Sequence, residues 1–412
     1  MRARGADHRS VESIVAAGLS IAISVLIFYP EMIAEIGSTR ALSIFLLMSM
    51  VIALSIGRQS TGPFLILMAG ALAYSVAMIQ SEGGATLEPQ GIANAQRYFL
   101  VLPLGIAAGI LLSRAGLTRR FVAGFVAVAV ASVVPAVIEY STSTSLFGRE
   151  FQYFVEMGRP RSLVASDHPL VLGLLFLVAL ALSVTFHSRW RLLLVGALLI
   201  GIWTTGSDGP MLLALPLALV VVSPTISRLV RVSSGVILSV VFVALAVGAY
   251  FVVAVWNSEA AGATSSEYSR AYRAAMYSLL PEMVAASPFG AGLNGMPPGA
   301  WLISTEYKGV RDVSVTIDSE IVFLAALFGI AGIALYIALF CVCIARLRTE
   351  FPIAFALLVI CTIGTVLAIT VWNTLVVLVA VLVGLCIERS ASGSQGKNRP
   401  MNVEEKEISH AS

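Results

Sequence analysis

Residues 256–332 decide how this chain is read. They carry a tyrosine- and arginine-bearing stretch, SSEYSRAYRAAMYSLLPEMVAA (265–286), then a Pro/Gly elbow, SPFGAGLNGMPPG (287–299). They return to apolar sequence through VTIDSEIVFLAALFGIAG (315–332), which opens on two acids, Asp318 and Glu320. This is the only long polar interval in the chain. On either side of it run apolar segments of helix length joined by short loops, so polar groups for chemistry or recognition must come largely from here.

Composition sets the class. Hydrophobic residues make up 58% of the chain and charged residues 12%, with a mean hydropathy of +0.92. A soluble domain has about 25% charged residues, so the sequence reads as an all-α, polytopic integral membrane protein. The basic start, MRARGADHRS, resembles a signal-peptide n-region, but apolar segments continue to residue 387 and the first reads as a retained span. Cys341, Cys343, Cys361 and Cys386 lie in apolar segments without a CxxC spacing, which fits packing rather than disulfides or metal ligation.

A bilayer span takes about 20 apolar residues. On that measure spans are expected near 13–30, 40–57, 62–80, 98–113, 121–139, 169–186, 190–205, 209–222, 233–256, 317–341, 352–370 and 374–388, twelve in all. Charge tests the count through the excess of Lys and Arg in cytoplasmic loops. With the N-terminus inside, 17 of the 26 basic residues fall in inner segments and 16 of the 23 acids in outer ones. The transmembrane domain is therefore expected over 1–389, in the cytoplasmic membrane, with both termini cytoplasmic. The tail 390–412, polar and free of aromatics, is expected to be disordered.

Two outer loops stand out, at about 140–168 and 257–316. In the second, Tyr268, Tyr272, Ala275, Met276, Leu279 and Met283 recur at helical spacing, with Ser265 or Ser266 as N-cap. Such a helix would lie along a membrane surface. The spans themselves are essentially free of ionisable residues, which argues against ion- or proton-coupled transport.

Nine basic residues stand on the outer side against the charge rule, eight of them Arg: Arg40, Arg97, Arg149, Arg159, Arg161, Arg270, Arg273 and Arg311, with Lys308. Arginine suits bidentate binding of phosphate; pairing with outer acids or lipid headgroups is the alternative. Asp318 and Glu320 read, taken alone, as acids at a helix start. They are also placed to act as a general base at a membrane surface. His168, in SDHPLVLG, is a helix-start residue first and a base second. Metal, serine-hydrolase and nucleotide motifs are absent.

The order of these pieces resembles the O-antigen ligase and O-antigen/exopolysaccharide polymerase superfamily over about residues 155–345. GRPRSLVASDHPLVLG (158–173) is similar to its outer Arg motif before a span. SRAYRAAMYSLLPEMVAASPFGAGLNG (269–295) is similar to its Arg-bearing helix and Gly turn, and IDSEIVFLAALFGIAG (317–332) to its following span. Ligases of this superfamily place a His where Asp318 stands, so the chain looks more like a polymerase. Asp208, in TTGSDGP, stands where the superfamily often has an Arg.

The resemblance implies a GT-C-like membrane glycosyltransferase that needs no metal and no cofactor. The donor would be a glycan on polyprenyl diphosphate, with Arg159, Arg161, Arg270 and Arg273 binding the diphosphate. Asp318, with Glu320 or His168 as alternates, would accept the proton of the acceptor hydroxyl. Membrane lipids and other polysaccharide-assembly proteins are the expected partners, and nucleic acid is not. The alternatives are ligase-type transfer of a finished glycan to a lipid or protein, and a transporter or flippase of lipid-linked sugars.

Overall fold

The structure, a computed structural model, describes residues 17–30, 43, 46–50, 61–82, 87–147, 160–166, 168–186, 188–230, 265–305, 309–314 and 317–395. The expected span 233–256, most of 40–57, and residues 148–159 of the first loop lie outside the described residues.

The described chain is mostly helical: α1 (Ala17–Phe28), α2 (Thr61–Glu82), α3 (Pro89–Arg114), α4 (Thr118–Thr142), α5 (Pro169–Leu182), α6 (Ser188–Thr204), α7 (Asp208–Val230), α8 (Ser265–Ala286), α9 (Glu320–Phe328), α10 (Ile330–Arg346), α11 (Phe351–Gly364) and α12 (Asn373–Gln395). One small antiparallel hairpin joins them, β1 (Leu302–Thr305) on β2 (Gly309–Asp312), with Ile303 opposite Arg311. Among the described residues three helices, Pro89–Arg114, Thr118–Thr142 and Asp208–Ser227, are long and apolar enough to cross a membrane; the apolar stretches of the others are shorter.

A helix that is apolar all round must be surrounded, and α5 is. Every residue from Val171 to Leu182 is buried, packed among α4, α6, α7 and α11. Side chains facing away from the core are apolar too: Phe64, Leu65, Met68 and Leu72 on α2 are exposed, as are Trp190 and Trp203 near the two ends of α6. Tryptophans at both ends of a helix match the aromatic belts of membrane proteins.

The closest helix pair is α3 with α12. Gly105 and Gly109 face Ala380 and Gly384, and a Cβ on Gly109 would lie 2.9 Å from the Gly384 Cα. Small residues four apart let two backbones meet this way in membrane helices. The pair runs parallel. At one end Arg97 Nε donates to Asn373 Oδ1 at 3.0 Å; at the other Arg114 reaches both carboxylate oxygens of Glu388, at 2.6 and 2.8 Å.

Two expectations are corrected. The stretch 317–341 is not one straight span: it breaks at Gly329 (φ 61°, ψ −136°) and folds back, so that Gly332 presses on the Leu324 backbone. The elbow 287–295 holds the break. Ala291 N donates to Ala326 O (2.8 Å), Gly292 N to Leu327 O (3.1 Å), and Ile330 N to Pro288 O (2.9 Å). These bonds satisfy carbonyls at the end of α9 and an amide at the start of α10 that a helix break leaves open. The stripe on α8 is the second. Tyr272, Met276 and Met283 are buried against protein, namely Val322 and Ala326 of α9 and Ile303 and Val313 of the hairpin, rather than against a lipid surface. In addition, α12 continues to Gln395, past the start expected for the tail.

Candidate functional site

The site forms where the segment before α9 meets the N-terminal turns of α3 and the α11–α12 connection. Ser319 is extended and caps α9, its Oγ accepting from Val322 N at 3.5 Å. Tyr277 of α8 fixes this segment from the other side. Its hydroxyl lies 2.8 Å from Ser319 Oγ and donates to Thr365 O at 2.6 Å.

Asp318 lines a cavity of about 530 Å³ together with His168, Gln90, Asn94, Asn294 and Trp372. Its Oδ2 is 3.9 Å from Arg273 Nη2, the long end of an ion pair, and both side chains are partly exposed. Asp318 precedes the first turn of α9 and so stands outside the helix. Burial pushes its carboxyl above the usual range, against the opposing pull of Arg273 and Arg311. A carboxyl of this kind, at a cavity wall and beside a guanidinium, can accept a proton from a hydroxyl held in the cavity.

His168 is the N-cap of α5: its Nδ1 accepts from Leu170 N at 3.1 Å. Its ring lies 5.4 Å from that of Trp372. Burial, helped by the positive charge of Arg161, pushes the imidazole down to about 4. It is therefore neutral at physiological pH, with one ring nitrogen committed to the cap.

Glu320 does not line the cavity. It is 3% exposed, and its carboxylate accepts from Thr370 N at 2.9 Å and from Thr370 Oγ1 at 2.6 Å. Tyr98 adds its hydroxyl to Thr370 Oγ1 at 2.7 Å. The geometry thus ties α9 to the α11–α12 connection through Glu320.

Of the four arginines, Arg273 is beside Asp318. Arg270 lies on the same helix, one turn earlier. Arg161 sits against Gly206, with its Cγ 3.2 Å from where a Cβ would be, and its charge acts on His168. Arg159 lies outside the described residues. The segment carrying Arg161 is fixed by a residue the sequence marked only as a span boundary: the Glu139 carboxylate, fully buried, accepts from Leu146 N, Leu163 N and Val164 N at 3.1, 2.9 and 2.7 Å.

Sequence reasoning missed Trp372, Gln90, Asn94 and Asn294. For the three amides the signal was present. PQGIANAQ (89–96) is a run of amides opening an apolar helix, and Asn294 reaches it from the glycine elbow, accepting from Glu88 N at 3.0 Å while Asn94 Nδ2 donates to Leu293 O at 2.8 Å. No protein-family model matches the chain, and no curated protein matches it.

Proposed function

We propose that this protein is a multi-pass glycosyltransferase of the cytoplasmic membrane, polymerising surface-polysaccharide repeat units on its outer face. Twelve spans with a GT-C-like arrangement and both termini cytoplasmic complete the proposal. The donor is a glycan on polyprenyl diphosphate; the acceptor is a sugar hydroxyl of a second glycan.

The observation that carries the reading is Asp318 at the cavity wall with Arg273 at 3.9 Å. In the proposed step the acceptor oxygen attacks the anomeric carbon and its proton passes to Asp318. The bond from that carbon to the diphosphate breaks, and the diphosphate leaves with the electron pair. Arg273, with Arg270 on the same helix, offsets the charge that develops on it. One displacement inverts the anomeric centre. A base contributes about 10²–10⁴-fold and a donor to developing charge about 10²–10³-fold.

The test is complementation of a strain lacking the gene with Asp318→Asn or Arg273→Ala, each confirmed to be inserted. Single repeat units stranded on the lipid carrier, with long polymer reduced about 100-fold or more, are expected. Full-length polymer from both variants would overturn the roles. Long polymer accumulating on the carrier in the deletion strain would instead indicate a ligase, and unchanged glycans a transporter.

A further inference from the structure

The cavity beside Asp318 and the arginines differ in chemistry, and the difference divides the substrate. Among the described residues no Lys or Arg lines the cavity and its one carboxylate is Asp318. The guanidiniums of Arg97 and Arg273 stand outside the lining, 3.1 Å from Asn94 Oδ1 and 3.9 Å from Asp318 Oδ2. A diphosphate needs cationic donors in a fork, and the described lining itself offers one carboxylate and no such donor. The lining instead combines the amides of Gln90, Asn94 and Asn294 with the indole of Trp372. Amides both donate and accept, as sugar hydroxyls do. Asn94 is buried and bonded to Leu293, Gln90 and Arg97, so it fixes the wall, and the exposed amides of Gln90 and Asn294 are the ones presented to a ligand. An indole offers a flat apolar face with one polar edge, which matches the C–H face of a pyranose ring. The volume, about 530 Å³, lies within the 300–1,000 Å³ of small-molecule pockets.

The position of Trp372 is set from two directions. His168 lies against it, ring centroids 5.4 Å apart and tilted by 38°. Two residues earlier Thr370 is held by the Glu320 carboxylate, at both its amide and its hydroxyl. The buried acid that the proposed reaction does not use thus anchors the chain that presents the indole.

We infer that the cavity is a neutral-sugar subsite in which the ring of the acceptor's terminal residue stacks on Trp372, while the diphosphate stays outside it on the Arg273 side of Asp318. This rests on the glycosyltransferase reading and deepens it. Asp318 then stands on the border between the two, where an acceptor hydroxyl in the cavity meets the anomeric carbon. Glu320 is a positioning residue for Trp372.

The experiment is saturation-transfer NMR on the purified full-length chain in detergent. The probes are the methyl glycosides of glucose, galactose, mannose and rhamnose, methyl glucuronide, and inorganic diphosphate. At about 10 mM glycoside a site with a Kd of about 1 mM is mostly filled. At least one neutral glycoside should give ring-proton transfer that exceeds the glucuronide's. The signal should fall about tenfold in Trp372→Ala, survive in part in Trp372→Phe, and persist in Asp318→Asn. Glu320→Gln, which keeps a partner for Thr370, should weaken it less than Glu320→Ala. Diphosphate should not displace the glycoside. Three results would overturn the inference: no transfer to any neutral glycoside, transfer unchanged in Trp372→Ala, or displacement by diphosphate. Failure of the reaction reading looks different. If Asp318→Asn makes full-length polymer in cells while glycoside transfer still depends on Trp372, the subsite stands and the catalytic role falls.

Discussion

Replacing Gly329 by Ala tests whether the helix break that presents Asp318 is built as described. Gly329 sits at φ 61°, ψ −136°, a region that L residues avoid, with a cost of about 1–3 kcal/mol. An added Cβ would also be driven into the carbonyl of Pro288 and come within 2.6 Å of Gly290 N. The elbow would have to retreat. In doing so it would give up three bonds, Ile330 N to Pro288 O, Ala291 N to Ala326 O and Gly292 N to Leu327 O, each worth about 1 kcal/mol net. The sum is about 4–6 kcal/mol, comparable with the whole stability of many domains. Gly292→Ala is the control. Its φ is +80° but nothing lies within 4 Å of its Cβ, so the conformational term of about 1–2 kcal/mol stands alone. Denaturant unfolding of the detergent-purified chain, with polymer formation in membranes alongside, reads both. Gly329→Ala should be destabilised several times more than Gly292→Ala and should lose activity with it. Equal losses in the two variants would refute the reasoning, because they would show that the elbow does not press on the break.

Two further outcomes follow from titration. His168 is pushed down to about 4 in the folded chain from an ordinary 6.5, so the stability linked to it is present above pH 6.5 and lost as pH falls toward 4. The loss is about 3 kcal/mol, so the unfolding midpoint of wild type should fall relative to that of His168→Asn, which does not titrate and keeps a capping side chain, as pH drops through that window. Asp318 is raised, so its linked stability is present below the ordinary Asp value and lost as pH rises through the shifted one; Asp318→Asn should match or exceed wild-type stability at neutral pH while losing activity, and a clearly less stable variant would contradict this.

Much of the fold was legible because span composition is a coarse, strong signal. Where it failed, the reason is physical. Hydropathy cannot separate one straight span from two helices folded back on each other, since both bury the same apolar residues; 317–341 reads as one because Gly329 counts only as a small residue. The conformation that breaks the helix depends on Pro288, forty-one residues away. The stripe on α8 was legible as an apolar face, but periodicity does not say whether lipid or protein covers it, and here Val322 and Ala326 do. For the candidate site, Asp318 stood out by residue type and position and Arg273 was singled out by the family resemblance; the structure places them 3.9 Å apart. The roles of Glu320 and Glu139 were not, because a carboxylate facing solvent and one taking backbone amides look alike in sequence. Trp372 was hidden by its place in a short turn.

Asp318 and Glu320 are two residues apart on one strand of chain and meet different fates, which is the clearest link here from fold to chemistry. Residues i and i+2 at the start of a helix do not share a direction. One side chain therefore turns to the cavity and Arg273, the other into protein and Thr370. The inward acid accepts from the amide and the hydroxyl of Thr370 and fixes the wall opposite. The outward acid keeps a single long contact, so burial raises its affinity for a proton without removing it from reach. A straight helix continuing through Gly329 would carry α9 away from the elbow, separating Asn294 from Gln90 and Asn94 and opening the cavity. The break is thus what allows one short segment to hold a structural acid and the proposed base side by side.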